Sequence, residues 1–425
     1  MATLQVCAAC GDRFSELDPA VRCPCGGLLE LRHDPPAEDG ASLRRLFQGR
    51  LGDREEANLS GVWRYRELVL PGAGGQIVTH PEGNTPLLRR LPIAEWAGLP
   101  DLRLKHEGHN PTGSFKDRGM TVGVTQARRI GARAIACAST GNTSAALAAY
   151  GAQAGIPALV FVPAGQVALG KLSQSLAYGA RTLLVRGDFD ACLRLVQEAA
   201  DQLGVYLLNS INPFRLEGQK TIVLELLHQL EWQVPDWIVL PAGNLGNTAA
   251  FGKALLAARA LGLIDRLPRI AAVQAAGAAP FAQGFREGFA ARRTVKAETI
   301  ATAIKIGDPA SWDRGVRTIR ETDGVVTQVT DAEILEAKAV IDAAGVGCEP
   351  ASAASVAGAR KLREERLIPL DARVVTVLTG HVLKDPGALI TYHQEMEPAP
   401  SRANRPVEIE ADLRAVERVL GREGR

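Results

Sequence analysis

The stretch AIACASTGNTSAALAAYGAQAGIPALVFV, residues 134–162, decides the fold class of this chain. It holds two short apolar runs, at 134–137 and 158–162, with an alanine-rich segment at 143–154 between them. Short apolar runs are typical of buried strands, whereas the longer segment is typical of a helix. Gly155 and Pro157 separate the helix from the second strand. The order strand, helix, strand predicts a parallel βαβ unit. No charged residue occurs from 134 to 170.

The same alternation continues over the middle of the chain. Further strands are predicted at 182–185, 205–208, 237–240, 270–273 and 373–378. Further helices are predicted at 116–129, 168–178, 189–203, 217–230, 248–261, 331–344 and 350–365. Because the chain has 425 residues, two sheets fit within it. We therefore expect an α/β fold with two parallel-sheet lobes, helices on both faces of each sheet and a cleft between the lobes.

Composition and charge exclude several classes of protein. Apolar residues make up 46% and charged residues 23%, which is typical of globular proteins and excludes a disordered or fibrous chain. The net charge of +2 is too small for an electrostatic footprint on nucleic acid or on an anionic membrane. The first residues lack the basic and apolar regions of a signal peptide. We therefore expect a cytoplasmic protein with no nucleic-acid or membrane partner.

Two proline-containing breaks, at 33–38 and 397–401, divide the chain. They predict a small head over 1–33, a body over 34–395 and a charged tail over 396–425. Within the body we expect a smaller lobe at about 121–215 and a larger lobe formed by about 60–120 and 216–395. Leu413, Val416 and Leu420 have the spacing of a short amphipathic helix in the tail.

The first chemical signal is Lys116, which lies in the first turn of a predicted helix after the turn-rich segment NPTGSF. The positive end of a helix is unfavourable for a cation and lowers the pKa of a lysine. A neutral amine is what Schiff-base formation requires. A single lysine is, however, also compatible with a solvated surface position.

Two further loops between strands and helices indicate anion binding. Glycines and amides that cradle a phosphate are expected in the loop after the strand at 237–240, at Gly243, Asn244, Leu245, Gly246 and Asn247. That loop lacks the lysine of a nucleotide-binding loop. Hydroxyls and an amide suited to a carboxylate follow the strand at 134–137, at Ser139, Thr140, Asn142 and Thr143. With Lys116, these groups describe a pyridoxal phosphate site that acts on an amino acid.

Several motifs carry a family resemblance over about residues 60–390. NPTGSFKDRG, ASTGNTSAALAAYG, LPAGNLGN and VLTGHVLKDP resemble, in that order, motifs of the fold type II pyridoxal phosphate enzymes. SGVWRYRELVLP, EGNTPL, ATAIKIGDPASW and CEPASAAS resemble the threonine synthase family in particular. So many matches in the right order are improbable by coincidence, although each motif alone is weak.

The resemblance implies a role for each matching residue. Lys116 is implied to form the Schiff base with the cofactor and to act as the base, Asn142 to bind the 3'-oxygen of the cofactor, and Thr379 to face its pyridine nitrogen. The phosphate of the cofactor is implied to lie on residues 243–247. Substrate is implied to contact Ser139, Thr140, Thr143, Ser210 and Arg215. The implied reaction converts O-phospho-L-homoserine and water to L-threonine and phosphate by γ-elimination and β-addition of water.

Other functions are compatible with parts of this pattern. A β-replacement enzyme acting on O-phosphoserine, similar to cysteate synthase, also needs a phosphate site and a Schiff-base lysine. A serine/threonine dehydratase shares the fold but needs no site for a phosphorylated substrate. The non-enzyme alternative is a zinc-ribbon binding module with an inactive body. We expect a homodimer, since twofold assemblies are the commonest among soluble proteins.

The head contains four cysteines, Cys7, Cys10, Cys23 and Cys25. The first pair has the Cys-x-x-Cys spacing of a zinc ribbon, and the second pair is one residue shorter. Four thiolates would form a closed, structural zinc site with no open position for catalysis. Reduced thiols without a metal, or a site in which His33 replaces one cysteine, are the alternatives.

Overall fold

Thirteen strands form three sheets in the computed structural model, which describes residues 2–165, 169–187 and 189–421. In chain order the strands are β1 (Thr3–Cys7), β2 (Arg13–Ser15), β3 (Leu29–His33), β4 (Leu87–Leu88), β5 (Leu102–His106), β6 (Ala134–Ala138), β7 (Ala158–Pro163), β8 (Arg181–Val185), β9 (Val205–Leu207), β10 (Trp237–Pro241), β11 (Arg269–Ala275), β12 (Val325–Val329) and β13 (Val374–Leu378).

Seventeen α-helices accompany these strands in the described residues. They are α1 (Gly40–Gly49), α2 (Glu56–Leu59), α3 (Arg66–Val69), α4 (Leu91–Ala97), α5 (Lys116–Arg129), α6 (Asn142–Ala154), α7 (Leu169–Ala177), α8 (Phe189–Leu203), α9 (Pro213–Gln219), α10 (Thr221–Gln229), α11 (Gly246–Ala260), α12 (Pro280–Arg286), α13 (Trp312–Glu321), α14 (Asp331–Ala343), α15 (Pro350–Glu364), α16 (Pro386–Ile390) and α17 (Leu413–Leu420). Short 3₁₀ segments are Arg50–Gly52, Trp63–Tyr65, Pro71–Gln76, Glu107–His109, Ala276–Ala278, Thr302–Ile304 and Val382–Lys384, and a π-helical turn is Thr391–Glu395.

The two larger sheets confirm the predicted α/β class. The six-stranded sheet has the order β12-β11-β10-β13-β5-β4, in which only the edge strand β4 is antiparallel to its neighbour. The four-stranded sheet has the order β8-β7-β6-β9 and is entirely parallel. The carboxyl ends of parallel strands meet at one edge of each sheet, so the loops after β6, β10 and β13 are available to form a common site.

The core lies on both faces of the larger sheet. Ile238 and Leu240 pack into an apolar cluster that continues into the smaller sheet. Trp237 and Val239, which alternate with them along β10, pack into a second cluster on the opposite face. Because successive strand residues point to opposite faces, a strand buried on both faces is apolar throughout, as the sequence of β10 is.

Every predicted strand is present, with boundaries that differ by at most two residues. The helix predicted over 217–230 is instead α9 followed by α10, and it begins earlier than expected. Asn212 caps α9, since its Oδ1 accepts from the backbone N–H of Phe214 at 3.0 Å and Pro213 occupies the first helical position. Residue 168 of the helix predicted over 168–178 lies outside the described residues.

The prediction missed β5 and β12. Strand β5 contains Lys105, which is fully buried, and β12 contains Thr327 and Gln328. Polar and charged side chains interrupt the apolar run by which buried strands are recognised. Their neighbours in the sheet, which the sequence does not reveal, make these segments strands.

The head is a three-stranded antiparallel sheet of order β2-β1-β3. It contacts the body through main-chain oxygens and a partly buried histidine. Lys253 Nζ donates to Leu31 O at 2.6 Å, Arg314 Nη2 donates to Leu29 O at 2.6 Å, and His33 Nε2 lies 3.1 Å from Glu217 Oε2. The head therefore packs on α9, α11 and α13.

The chain separates into two compact units, Met1–Asp385 and Pro386–Arg425. The second unit contains the short helix predicted for the tail, α17, which Asp412 caps by accepting from the N–H of Ala415 at 2.9 Å. Among the described residues, no helix combines the length and the apolar character that crossing a membrane requires.

Candidate functional site

Backbone hydrogen bonds join the loop before Lys116 to the loop after β13. The N–H of Phe115 donates to Thr379 O at 3.0 Å, and the N–H of His381 donates to Gly113 O at 2.9 Å. Lys116 is the first residue of α5, and Thr379 is the first residue after β13. Two residues that are distant in sequence therefore lie side by side at the carboxyl edge of the larger sheet.

Lys116 is half-buried, with its Nζ 4.2 Å from the ring centre of Phe115. Burial lowers the pKa of its ammonium to about 7; the positive charge of Arg215 lowers it further, and the negative charge of Glu349 opposes this shift. A substantial fraction of this amine is therefore neutral at neutral pH, which is the state that attacks a carbonyl group.

Asn142 opens α6, directly after β6 in the smaller sheet. Its Nδ2 donates to Glu349 Oε2 at 2.9 Å, so the smaller sheet contributes a side chain to the same place as Thr379. Ser139, Thr140 and Thr143 surround this helix end and are partly buried. Gly141, the N-cap residue of α6, has no side chain that could cap the helix, so backbone N–H groups of the first turn remain for an anion.

The loop of residues 243–247 joins β10 to the N-terminus of α11. Gly243 lies so close to the backbone of Ile304 that a Cβ atom on residue 243 would be 3.0 Å from Ile304 Cα. Asn244 is held on both sides, because its Nδ2 donates to Ser210 Oγ at 2.7 Å and its Oδ1 accepts from the N–H of Ala310 at 2.7 Å. Leu245 has a φ of 62°, and Gly246 begins the helix.

Two buried polar atoms of this loop lack partners among the described residues. They are Asn247 Oδ1 and Thr248 Oγ1, on side chains of residues that are 7% and 0% exposed. The Thr248 hydroxyl can donate, and it lies in the first turn of a fifteen-residue helix, where backbone N–H groups can also bind the oxygens of an anion. Asn247 Oδ1 only accepts and does not contribute to anion binding. This loop therefore fits a phosphate group.

Thr379 and Glu349 form the opposite side of the site. Thr379 is 4% exposed; its Oγ1 donates to Glu349 Oε1 at 3.1 Å and lies 3.0 Å from Ser352 Oγ. Burial raises the pKa of Glu349, while its hydrogen bonds from Asn142 and Thr379 oppose the shift. Asn142 and Thr379, two of the predicted site residues, thus bond to one carboxylate, whose charge also acts on Lys116.

Arg215 lies in α9 beneath α5 and is completely buried. Its Nη1 donates to Leu208 O at 3.0 Å, whereas Nε and Nη2 have no partner in the part of the chain that the structure describes. Burial lowers the pKa of its guanidinium to about 10. Ser210, the other predicted phosphate contact, is held by Asn244 of the loop after β10.

A buried ionic network holds the segment that contains Lys116 in place. Arg118 Nε donates to Glu107 Oε2 at 2.6 Å, and its Nη2 donates to Glu225 Oε1 at 2.8 Å. Lys105 Nζ donates to the same oxygen of Glu225 at 2.5 Å. The Glu225 carboxylate also accepts from the N–H groups of Asn84 and Thr85, so the segments NPTGSFKDRG and EGNTPL are anchored to α10.

The four cysteines of the head converge. Cys7 and Cys25 sulfurs lie 3.5 Å apart, Cys10 and Cys23 sulfurs 3.6 Å, and Cys10 and Cys25 sulfurs 3.5 Å. All four sulfurs lie within 4.8 Å of one another. Four thiolates at about 2.3 Å from a tetrahedral ion would be about 3.8 Å apart, so this spacing suits a single metal ion.

Comparison with known proteins identifies the family. The model of the family described as "Pyridoxal-phosphate dependent enzyme" matches residues 78–380. Threonine synthase of Methanocaldococcus jannaschii is 44% identical over 420 residues, which are 98% of this chain and 99% of the relative. Threonine synthase of Synechocystis is 50% identical over 317 residues, 74% of this chain and 80% of the relative. This chain belongs to the threonine synthase family.

Membership makes the chain a pyridoxal-phosphate-dependent lyase, so the alternative of a binding module with an inactive body is set aside. The solved structure of Escherichia coli threonine synthase shares the fold with a TM-score of 0.68 and 19% identity, covering 99% of this chain and 100% of that one. The predicted fold type II architecture is confirmed.

Several residues of the site were missed at the sequence level. Glu349 lies within CEPASAAS, a segment that carried the resemblance without a role for its glutamate. Asp117, next to Lys116, accepts from the N–H of Thr112 at 2.7 Å, and burial raises its pKa to about 7. His33 was an alternative ligand for the cysteine site, but its ring nitrogens contact Glu217 and Thr3 instead.

Proposed function

We propose that this enzyme converts O-phospho-L-homoserine and water to L-threonine and phosphate. The observation that carries the proposal is that Asn142 and Thr379 bond to one buried carboxylate whose charge acts on Lys116, beside helix ends that are suited to anions. The threonine synthase relatives over nearly the whole chain support the same reaction.

We assign the cofactor to the residues around Lys116. The phosphate of pyridoxal 5'-phosphate would lie on residues 243–247 at the start of α11, where the unpaired Thr248 hydroxyl and the backbone N–H groups of the helix end can donate to its oxygens. Asn142 and Thr379 would contact the pyridine ring. When bound, the cofactor supplies an electron sink for negative charge that develops on the substrate carbons.

The chain itself supplies proton transfer and anion binding. The lowered pKa of Lys116 matches the requirement for a group that accepts and returns protons at neutral pH. The N-terminus of α6, with Ser139, Thr140 and Thr143, would hold the substrate carboxylate through hydroxyls and N–H groups. Ser210 and Arg215 would hold the substrate phosphate, for which the unpaired Nε and Nη2 of Arg215 are available.

The reaction is tested with the purified holoenzyme and each candidate substrate. O-phospho-L-homoserine should give threonine and phosphate, as followed by NMR. O-phosphoserine with sulfite should give no cysteate, and serine or threonine should give no oxoacid at a comparable rate. Absence of threonine from O-phospho-L-homoserine would overturn the proposal, and cysteate formation would favour the β-replacement alternative.

Arg215→Lys should raise KM for O-phospho-L-homoserine by roughly 30-fold or more, since a planar guanidinium binds phosphate oxygens in pairs and an ammonium does not. The visible band of the bound cofactor should remain, because Arg215 is not assigned to the cofactor. Steady-state kinetics and absorption spectra measure both effects.

Arg259→Lys, an exposed arginine on α11, is the matched control and should keep the wild-type KM. A wild-type KM in Arg215→Lys would remove Arg215 from the substrate site and leave it as a buried support of α5.

We also propose a structural zinc ion in the head, bound by Cys7, Cys10, Cys23 and Cys25. The support is the spacing of their sulfurs, which all lie within 4.8 Å of one another. A closed four-thiolate site stabilises a small domain and leaves no position for a substrate.

Protein purified without chelators should contain about one zinc per chain by elemental analysis. Cys10→Ser should lose most of this zinc and lower the midpoint of thermal unfolding, because metal binding is coupled to folding of so small a sheet. Cys137→Ala, outside the head, should keep its zinc. Wild-type protein free of zinc would favour the alternative of reduced thiols without a metal.

We also propose that the protein is located in the cytoplasm and that it forms a homodimer. No disulfide is formed by Cys7, Cys10, Cys23, Cys25, Cys137 or Cys348, which suits the reducing cytoplasm. A homodimer is proposed from the frequency of twofold assemblies alone, and its molar mass in solution would test it.

A further inference from the structure

Glu349 is a buried carboxylate between two side chains that we assign to the cofactor. It is 3% exposed and lies immediately before α15. Its partners come from both sheets: Asn142 follows a strand of the smaller sheet, and Thr379 follows a strand of the larger one. A single carboxylate therefore determines where both side chains lie relative to each other.

The position of Glu349 is itself fixed by the backbone. Its N–H donates to Gly380 O at 3.1 Å, and a Cβ atom at residue 380 would overlap the Glu349 carboxyl group. Ser352 Oγ accepts from the N–H of Gly380 at 2.9 Å and lies 3.0 Å from Thr379 Oγ1. Hydrogen bonds between the loop after β13 and the start of α15 thus enclose the carboxylate.

The hydrogen bonds to Glu349 decide what Thr379 and Asn142 can offer to a ligand. The Thr379 hydroxyl and one N–H of the Asn142 amide both bond to oxygens of the Glu349 carboxyl group, which fixes the orientation of each side chain. The amide of Asn142 uses one of its two N–H bonds on Glu349 and keeps the second for an oxygen of a ligand.

Two cations lie close enough to act on this carboxylate. Lys116 and Lys384 both lower its pKa, whereas burial raises it by a larger amount. In return, the negative charge of Glu349 raises the pKa of Lys116. Glu349 is thus electrostatically linked to the proposed Schiff-base lysine as well as hydrogen-bonded to Asn142 and Thr379.

We propose that Glu349 is a positioning residue that sets the hydrogen bonding of the cofactor ring through Thr379 and Asn142. The inference rests on the proposed function, since it requires pyridoxal phosphate on Lys116. It refines that function by making the orientation of both side chains assigned to the ring depend on one carboxylate.

The test compares wild type with Glu349→Gln, which keeps the shape of the side chain but adds an N–H donor and loses the charge. Apo-protein is reconstituted with pyridoxal phosphate, and its dissociation constant and absorption spectrum are measured. We expect binding to weaken by about ten- to hundredfold, as for other partners that orient ligand-binding side chains. We also expect the absorption maximum of the bound cofactor to shift in wavelength. The fold decrease in kcat should be larger than the fold change in KM.

Glu365→Gln, an exposed residue just beyond the other end of α15, is the matched control and should behave as wild type. If wild type gains no visible band, or Lys116→Ala leaves the band unchanged, the proposed function itself fails. If those two behave as expected but Glu349→Gln keeps the wild-type spectrum and affinity, only the role of Glu349 is overturned.

Glu349→Asp covers the case in which Glu349→Gln does not fold. It keeps the charge but shortens the reach to Asn142 and Thr379, so weakened binding and a shifted band are again expected. If neither variant yields folded protein, Glu349 is required for the fold rather than for the cofactor, and the inference is overturned.

Discussion

Lys116→Ala should remove the visible absorption band that the wild-type protein acquires with pyridoxal phosphate and lower threonine formation by roughly 10³-fold. The reason is that Lys116 is proposed both to bind the cofactor and to transfer protons. Absorption spectra and a phosphate-release assay measure the two effects.

The pH dependence of cofactor capture by wild-type apo-protein provides a second measurement on the same lysine. Burial lowers the pKa of Lys116 to about 7, and only the neutral amine reacts. The capture rate should therefore rise as the pH is raised through 7 and level off above it. An ordinary, solvated lysine would still be gaining reactivity near pH 10.

Lys296→Ala, an exposed lysine, is the matched control and should retain both the band and the activity. Retention of the visible band by Lys116→Ala, at wild-type intensity and position, would contradict the assignment of Lys116. Loss of the band in Lys296→Ala as well would indicate a general effect of the substitutions on folding.

Glu225→Ala should lower the free energy of unfolding by about 3–5 kcal/mol. The substitution leaves Arg118 and Lys105 as buried cations without their shared carboxylate, and it removes the acceptor of the Asn84 and Thr85 N–H groups. Denaturant titration followed by tryptophan fluorescence measures the change.

The effect should also depend on pH. Arg118 and Lys105 hold the pKa of Glu225 well below its usual range, so the folded state is stabilised at every pH above the unfolded pKa of about 4.3. That stabilisation is lost as the pH falls below this value. The difference between wild type and Glu225→Ala should therefore shrink in acid.

Glu364→Ala is the matched control, because Glu364 forms an exposed ion pair with Arg360 on α15 at 2.8 Å. Its loss should change the free energy of unfolding by no more than about 0.5 kcal/mol. A loss below about 1 kcal/mol in Glu225→Ala would show that the buried network is replaceable.

Local patterns predicted the parts of the fold that depend on neighbouring residues. The seven predicted strands follow from short apolar runs, and α5 begins at Lys116 as expected. Strand β5 was missed because Lys105 interrupts its apolar pattern, and Glu225, which makes that lysine tolerable, is 120 residues away in the chain. The start of α9 was misplaced because the Asn212 cap and Pro213 were not read as a helix start.

The α/β class, the family, the lysine at the start of a helix and the four-cysteine spacing could all be predicted from the sequence, because each follows from the order and spacing of local patterns along the chain. The tertiary structure alone decided that Glu349 contacts Asn142, 207 residues earlier, and Thr379, 30 residues later. It also decided that Arg215 is fully buried and that His33 contacts Glu217. Such contacts depend on how the two sheets and their loops pack, and spacing along the chain does not specify that packing.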